Sequence, residues 1–377
     1  MVIDTDLLKE TSNKILAAVD SDGLSEITEA LELDAHNYTL FMNVTNKEYH
    51  VQVRIPIASD ELLNATVNAN LFLKLISQIT TPDIELKIVG NSLELKGNGV
   101  YNIPIIYSNE DEILELPVIG INNITCTMNI SSDVLQSISK YNSKELKKSG
   151  IKLPVQKMYY MDDQGAITFG TGACVNEFKL EKPVKLLLTN KIVKLFKLFG
   201  KEDVLFTLGQ DLDEENNIQT KVKFESSNVT LSSYLNCEDS LLRSIPVTSI
   251  RKVANEQYSY NIQLNKNALL QALNRLELFS EKSVKDEIRS YCIFEFHPTY
   301  MIIYDKNKKN SEKLDYLNDK SGITEEVTYK YDLLDFKYTL ENYTEDYFNM
   351  SFGGNAAVLT YNNIKNIIAC VQSFRGN

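Results

Sequence analysis

Histidine is scarce in this chain of 377 residues: His36, His50 and His297 are the only three, far apart and in or beside strand-like segments. An enzyme built on imidazole acid–base chemistry has little to draw on, and each histidine reads as a surface or packing residue. No P-loop, nucleophile elbow or HExxH helix is present. Gly170-Thr171-Gly172 is not followed by the glycines or the long helix of a nucleotide loop. The five cysteines (Cys126, Cys174, Cys237, Cys292, Cys370) stand singly, without a CxxC pair. Odd number and wide spacing exclude a zinc ribbon or disulfide frame and fit free thiols in a reducing, cytoplasmic setting. No apolar run approaches the roughly 20 residues of a membrane span. The acidic start lacks the basic region and apolar core of a signal peptide. These absences lead us to expect no catalytic residue, no cofactor, no metal and no membrane partner.

What the sequence does contain is ordinary in amount and unusual in arrangement. Hydrophobic content of 43% and charged content of 24% are those of a globular protein. A helix-plus-strand unit is written three times. It reads 190–199, then Glu202-Asp203, the alternating run 204–208 and Gly209. Earlier come 70–76, Asp83, 84–88 and Gly90; later come 331–336, Glu345-Asp346, 347–352 and Gly353. The spacing is 120 residues from Asp83 to Asp203 and 143 from there to Asp346, with 305–322 as the lengthening insertion. A period this long indicates three like domains rather than a solenoid. We place them at 1–122, 123–255 and 256–377, with linkers near 117–122 and 246–255. Each opens on a short amphipathic helix starting at Asp6, Asp133 or Asn267 and continues through period-two strands. The pattern is α+β, two helices backed by antiparallel sheet in each domain. Three such domains suggest a body that closes on itself.

The formal net charge of −12 is unevenly placed: residues 1–122 hold 7 basic and 19 acidic side chains, and the remainder nearly balances. An acidic total argues against simple adhesion to nucleic acid, but not against cations gathered on one surface. Lys191, Lys194, Lys197 and Lys201 fall on one side of the helix from Asn190, opposite Ile192, Val193, Leu195, Phe196 and Phe199. The opening helix of the same domain offers Lys140, Lys144, Lys147 and Lys148; the third offers Lys266 and Arg275, the first Lys74. Such a stripe is either a solvated helix face or a rail for phosphates. Its recurrence on equivalent elements favours a surface for double-stranded DNA.

These patterns resemble the bacterial DNA polymerase III beta subunit, the sliding clamp, over essentially the whole chain. Residues 265–280 look like the opening helix of the clamp's third domain, and Tyr101-Asn102-Ile103 looks like a strand at its subunit interface, with Leu278 opposing. Residues 242–246 resemble the segment closing the second domain, whose arginine, here Arg243 beside Leu242, borders a partner cleft. The resemblance implies the DNA clamp fold, a head-to-tail homodimeric ring, a non-catalytic processivity role, and a DNA polymerase and a clamp loader as partners. The cleft would be lined by Val175 and by the tail strand Ile367, Ile368 and Ala369. Departures stand at that cleft. The tail lacks the Met-Pro usual in the family, 171–175 replaces the usual Asp-Gly-His-Arg, and Ser21-Asp22-Gly23 lacks an early basic residue. A clamp-fold scaffold or decoy that binds replication proteins without supporting processive synthesis is the alternative reading.

Overall fold

A computed structural model describes residues 1–19, 26–142, 153–212, 215–279, 291–318 and 321–371. The same run of elements, strand, helix, four strands, helix, three strands, occurs three times along it. The first run is β1 (Val2–Asp4), α1 (Thr5–Leu16), β2 (Ala30–His36), β3 (Thr39–Thr45), β4 (Tyr49–Pro56), β5 (Leu63–Asn68), α2 (Ala69–Gln78), β6 (Asp83–Val89), β7 (Ser92–Lys96) and β8 (Val100–Pro104). The second is β9 (Ile124–Ile130), α3 (Ser132–Tyr141), β10 (Met158–Asp162), β11 (Gly165–Phe169), β12 (Ala173–Glu177), β13 (Lys185–Thr189), α4 (Asn190–Leu195), β14 (Val204–Leu212), β15 (Ile218–Glu225) and β16 (Val229–Leu235). Two short helices follow, α5 (Asp239–Ser244) and α6 (Val247–Ala254). The third run is β17 (Tyr260–Asn265), α7 (Lys266–Glu277), β18 (Tyr291–Phe296), β19 (Tyr300–Tyr304), β20 (Ser311–Asp315), β21 (Val327–Asp332), α8 (Leu333–Leu340), β22 (Tyr347–Phe352), β23 (Ala356–Tyr361) and β24 (Ile364–Ala369).

The helices begin where strands end. Asp4, Asn68, Asn265 and Asp332 close β1, β5, β17 and β21, and each side chain accepts an N–H of the next helix's first turn. A capping side chain stabilises a helix start by about 1 kcal/mol and removes the need for a loop. The caps of α1 and α7 lie two residues before the expected Asp6 and Asn267, because the strand residue already presents the acceptor. The expected helix from Asn190 is a six-residue α-helix followed by a 3₁₀ turn, Phe196–Phe199, and stops at Gly200 with φ of 60°. Residues 246–255, expected as linker, are mostly helix: Val247, Ile250 and Ala254 recur at helical spacing. Part of the lengthening insertion at 305–322 is the strand β20.

The chain packs as two compact units. The first comprises residues 1–135 and 194–236, the second 136–193 and 237–377. The first unit contains an eight-stranded antiparallel sheet, β5-β2-β3-β4-β16-β15-β14-β9, and a four-stranded one, β1-β6-β7-β8. The long sheet is continuous because β4 pairs with β16, His50 opposite Ser232 and Val53 opposite Val229. Phe196, Phe199 and Phe206 surround Phe224 at ring distances of 5.0, 6.4 and 5.2 Å.

The second unit repeats this plan, with β13-β10-β11-β12-β24-β23-β22-β17 and β20-β19-β18-β21. Here β12 pairs with β24, placing Ala173 opposite Ile367 and Val175 opposite Lys365. Its main core gathers Leu269, Leu273 and Leu276 of α7 with Phe294, Phe336 and Phe348. Burying each such side chain is worth about 1.5–3 kcal/mol.

One glycine of this unit has no substitute. Gly165 opens β11 at φ of 146°, and a Cβ there would lie 2.2 Å from the Asn176 carbonyl oxygen. Gly165→Ala is expected to cost about 3 kcal/mol through steric overlap and backbone strain. A urea unfolding midpoint equal to wild type would contradict this.

Candidate functional site

A groove lies in the second unit, on the face of the long sheet covered by α5 and α6. Strand alternation aims Tyr160 of β10, Ile167 of β11, Val175 of β12, Ile367 of β24 and Val358 of β23 to this face. They form one apolar cluster with Ile245, Ile250 and Ala254, edged by the half-buried Leu241, Leu242, Val247 and Phe169. Beside the cluster opens a cavity of about 560 Å³, lined among others by Tyr160, Asp162, Lys185, Leu242, Arg243 and Arg251. The surface is thus apolar at one end and charged at the other.

Its polar end is held by one ion pair. Arg251 of α6 donates from Nη1 to Asp162 Oδ2 at 2.8 Å and from Nη2 to Oδ1 at 2.6 Å. The Tyr160 hydroxyl and the Gln164 N–H also donate to this carboxylate, at 3.2 and 2.9 Å. Burial alone would raise the Asp162 carboxyl, but the Arg251 and Gln164 bonds outweigh it and hold it below the usual range. Arg251 is pushed up chiefly by its bond to Asp162, and burial followed by the Asp162 charge lifts the Tyr160 phenol to about 12. The pair therefore pins α6 to the β10–β11 turn and fixes the groove's wall. Arg243 is mostly exposed at the rim, 3.2 Å from Asp239 one helical turn away.

Of the residues expected at a cleft, Val175, Leu242 and Ile367 join the cluster and Leu242 and Arg243 line the cavity. Ile368 belongs to the opposite core, and Ala369 is exposed opposite Ala356. Successive strand residues face opposite ways, so the three tail residues do not share one surface. Sequence reasoning missed Asp162, Tyr160, Ile250 and Arg251. The signal was the 247/250/254 spacing inside a segment taken as linker.

The corresponding face in the first unit is chemically different. Where β4 meets β16, a smaller cavity of about 320 Å³ is lined by His50, Arg54, Thr207, Lys223, Glu225 and Ser232 among others. Gln52 donates to Asn43 and Asn43 to Glu32, at 3.0 and 2.9 Å, so this floor is a polar ladder. Burial pulls the His50 imidazole down to about 4, and it is neutral at physiological pH. Val118, Ile119, Ile121 and Ile124 give that cavity an apolar wall as well, so it differs from the second unit's groove in its polar floor.

The expected DNA-facing cations differ in setting. Lys74, Lys140, Lys191, Lys194, Lys197 and Lys201 are exposed. Along 191–199 the exposed Lys191, Lys194 and Lys197 alternate with buried Ile192, Val193, Leu195, Phe196, Leu198 and Phe199. Lys194 near the end of α4 and Lys197 in the 3₁₀ turn that continues it are three residues apart, which sets them on one side. Lys266, by contrast, donates to the Tyr343 carbonyl at 3.0 Å. Arg275 is exposed like the first group but is held bidentate by Glu312 of β20 at 2.6 and 2.8 Å. Lys144, Lys147 and Lys148 lie outside the described residues.

The expected interface residues differ likewise. Tyr101 is partly exposed on the edge strand β8, Leu278 is 81% exposed just after α7, and Ile103 is only 2% exposed and packs into the core.

Comparison with known proteins finds no matching protein family and no matching curated protein. Solved structures do match, over nearly the whole chain. DNA polymerase III subunit beta from Pseudomonas aeruginosa superposes with a TM-score of 0.77 at 12% identity, covering 99% of both chains. The DNA polymerase sliding clamp from Bacillus subtilis gives 0.74 at 16%, again over 99% of each. The Helicobacter pylori beta clamp, solved bound to a DNA ligase peptide, gives 0.74 at 15% with the same coverage. The chain has the α+β fold of the sliding clamps. No described helix is long and apolar enough to cross a membrane.

Proposed function

We propose that this protein is a divergent DNA sliding clamp of three repeated domains, non-catalytic, whose dimer encircles duplex DNA and tethers a polymerase. The observation that carries this reading is which sheet edges are left over. Each run of elements supplies one edge from its first sheet (β4, β12, β20) and one from its second (β8, β16, β24). β4 is joined to β16 and β12 to β24; β8 and β20 end their four-stranded sheets. An unpaired edge invites another strand. Pairing of β8 with β20 of a second copy, in each direction, would join the two edges of this series that have no partner within the chain and close a head-to-tail ring. The apolar surface beside both edges supports this: Val100 and Tyr101 are exposed on β8, and Leu278 and Phe279 follow α7, which packs beside β20.

In such a ring the exposed lysines of α4 and its 3₁₀ turn, with Lys74 and Lys140, would meet phosphates without reading sequence, as sliding requires. The second unit's groove, apolar with one charged end, suits a short peptide of a polymerase or another replication protein. Tethering would then act by effective concentration, returning the enzyme to its primer end at once. A separate loader would open the ring.

Two measurements test the reading in sequence. Light scattering across a dilution series is expected to give twice 42.9 kDa. Protein loaded on nicked circular DNA is expected to stay until the circle is cut and then slide off. A monomer at every concentration, or retention that ignores linearisation, would remove the ring.

A further inference from the structure

We infer that Glu295, His297 and Glu326 form a binding site for a divalent transition-metal cation of the zinc class, in the four-stranded sheet of the second unit. Glu295 lies in β18 and His297 two residues on, so alternation aims both to one face. Strand β21 starts at Val327, opposite Phe296. Continuing that antiparallel register sets Glu326 opposite His297. One ligating atom from each side chain lies within 4.8 Å of the other two, and among the described residues no other three such groups converge.

The donor set is what such an ion needs. One imidazole nitrogen and two carboxylate oxygens match zinc, and three protein ligands leave a position for water. His297 Nε2 is 3.1 Å from Glu295 Oε1, close to the separation of two ligands on one ion. These two side chains are only 18% and 13% exposed, while Glu326 is exposed. The site thus has two sheltered ligands and one surface ligand free to swing in. Its surroundings orient the sheltered pair: the His297 ring stacks on Tyr300 at 4.5 Å, and the Tyr304 hydroxyl reaches Glu295 at 3.5 Å. Such outer contacts set ligand direction and raise affinity. Lys308, 3.6 Å from Glu295, is the competing cation; a divalent ion neutralises both carboxylates where the ammonium reaches one. A bound ion would tie the segment entering β21 to the end of β18.

The experiment is a cobalt(II) titration of the full chain followed by visible absorption, with zinc calorimetry alongside. We expect one equivalent of cobalt bound through nitrogen and oxygen, without the near-ultraviolet thiolate band that the free cysteines would produce. Binding should be lost in His297→Ala and Glu326→Gln and retained in His36→Ala. It should tighten in Lys308→Met, which removes the competitor without touching a ligand. Zinc should raise the melting temperature of wild type and not of Glu326→Gln, a surface change that leaves the core alone. Cobalt binding that survives His297→Ala, binding through thiolate, or no binding at millimolar cobalt would each overturn the site.

Discussion

Asp162→Asn is expected to destabilise the protein by about 3 kcal/mol, the cost of breaking a buried ion pair and leaving its partner charged. The carboxylate accepts from both Arg251 nitrogens, from Tyr160 and from the Gln164 N–H, and its side chain is 7% exposed. An amide keeps one oxygen and turns a donor towards the guanidinium. The urea midpoint should fall with little change in slope, since the surface exposed on unfolding stays the same. The pH dependence has a definite sign. The Asp162 carboxyl titrates lower in the folded chain than in the unfolded one. Its stabilisation is complete above the ordinary aspartate range and is lost as pH falls through the folded value. Asp162→Asn should therefore flatten part of the acid limb of the stability profile as well as lower the neutral plateau. A variant as stable as wild type, with the same acid limb, would deny the pair its role in holding α6.

Reversing charge at Lys194 and Lys197 together should leave the fold intact and shorten residence on DNA. Both side chains are exposed while the residues between and beside them are buried, so stability should move by no more than about 1 kcal/mol for the two surface changes. Each phosphate contact contributes about 0.9 to the slope of log affinity against log salt, so losing two should reduce it by about 1.8. Glutamate adds repulsion, and residence on nicked circular DNA should shorten most at low salt, where screening is weakest. Unchanged residence in a folded double variant would take this helix off the DNA surface.

Much of the molecule was legible in one dimension because the forces that set it are local. Alternation in 204–208 and 347–352 marked β14 and β22, since a strand half in contact with a core must bury every second residue. The lysines of 191–201 stood apart from their apolar neighbours for the same reason, and their exposure follows from the helix's own period.

Only the tertiary structure decided which edges meet and which partner a charge such as Arg275 finds. Period two tells which face of a strand is buried but not which strand lies beside it, so the junctions of β4 with β16 and of β12 with β24 could not be read from either partner alone. The groove depends on the second junction, because Val175 and Ile367 come from strands almost two hundred residues apart in sequence. Lys266 and Arg275 looked like their neighbours in sequence and differ in space, one held by the Tyr343 carbonyl and the other by Glu312. Glu326 gains His297 as a neighbour only through the pairing of β18 with β21. Local sequence sets the period and the caps; partners distant along the chain are chosen by packing, and sites assembled from them exist only once the chain has folded.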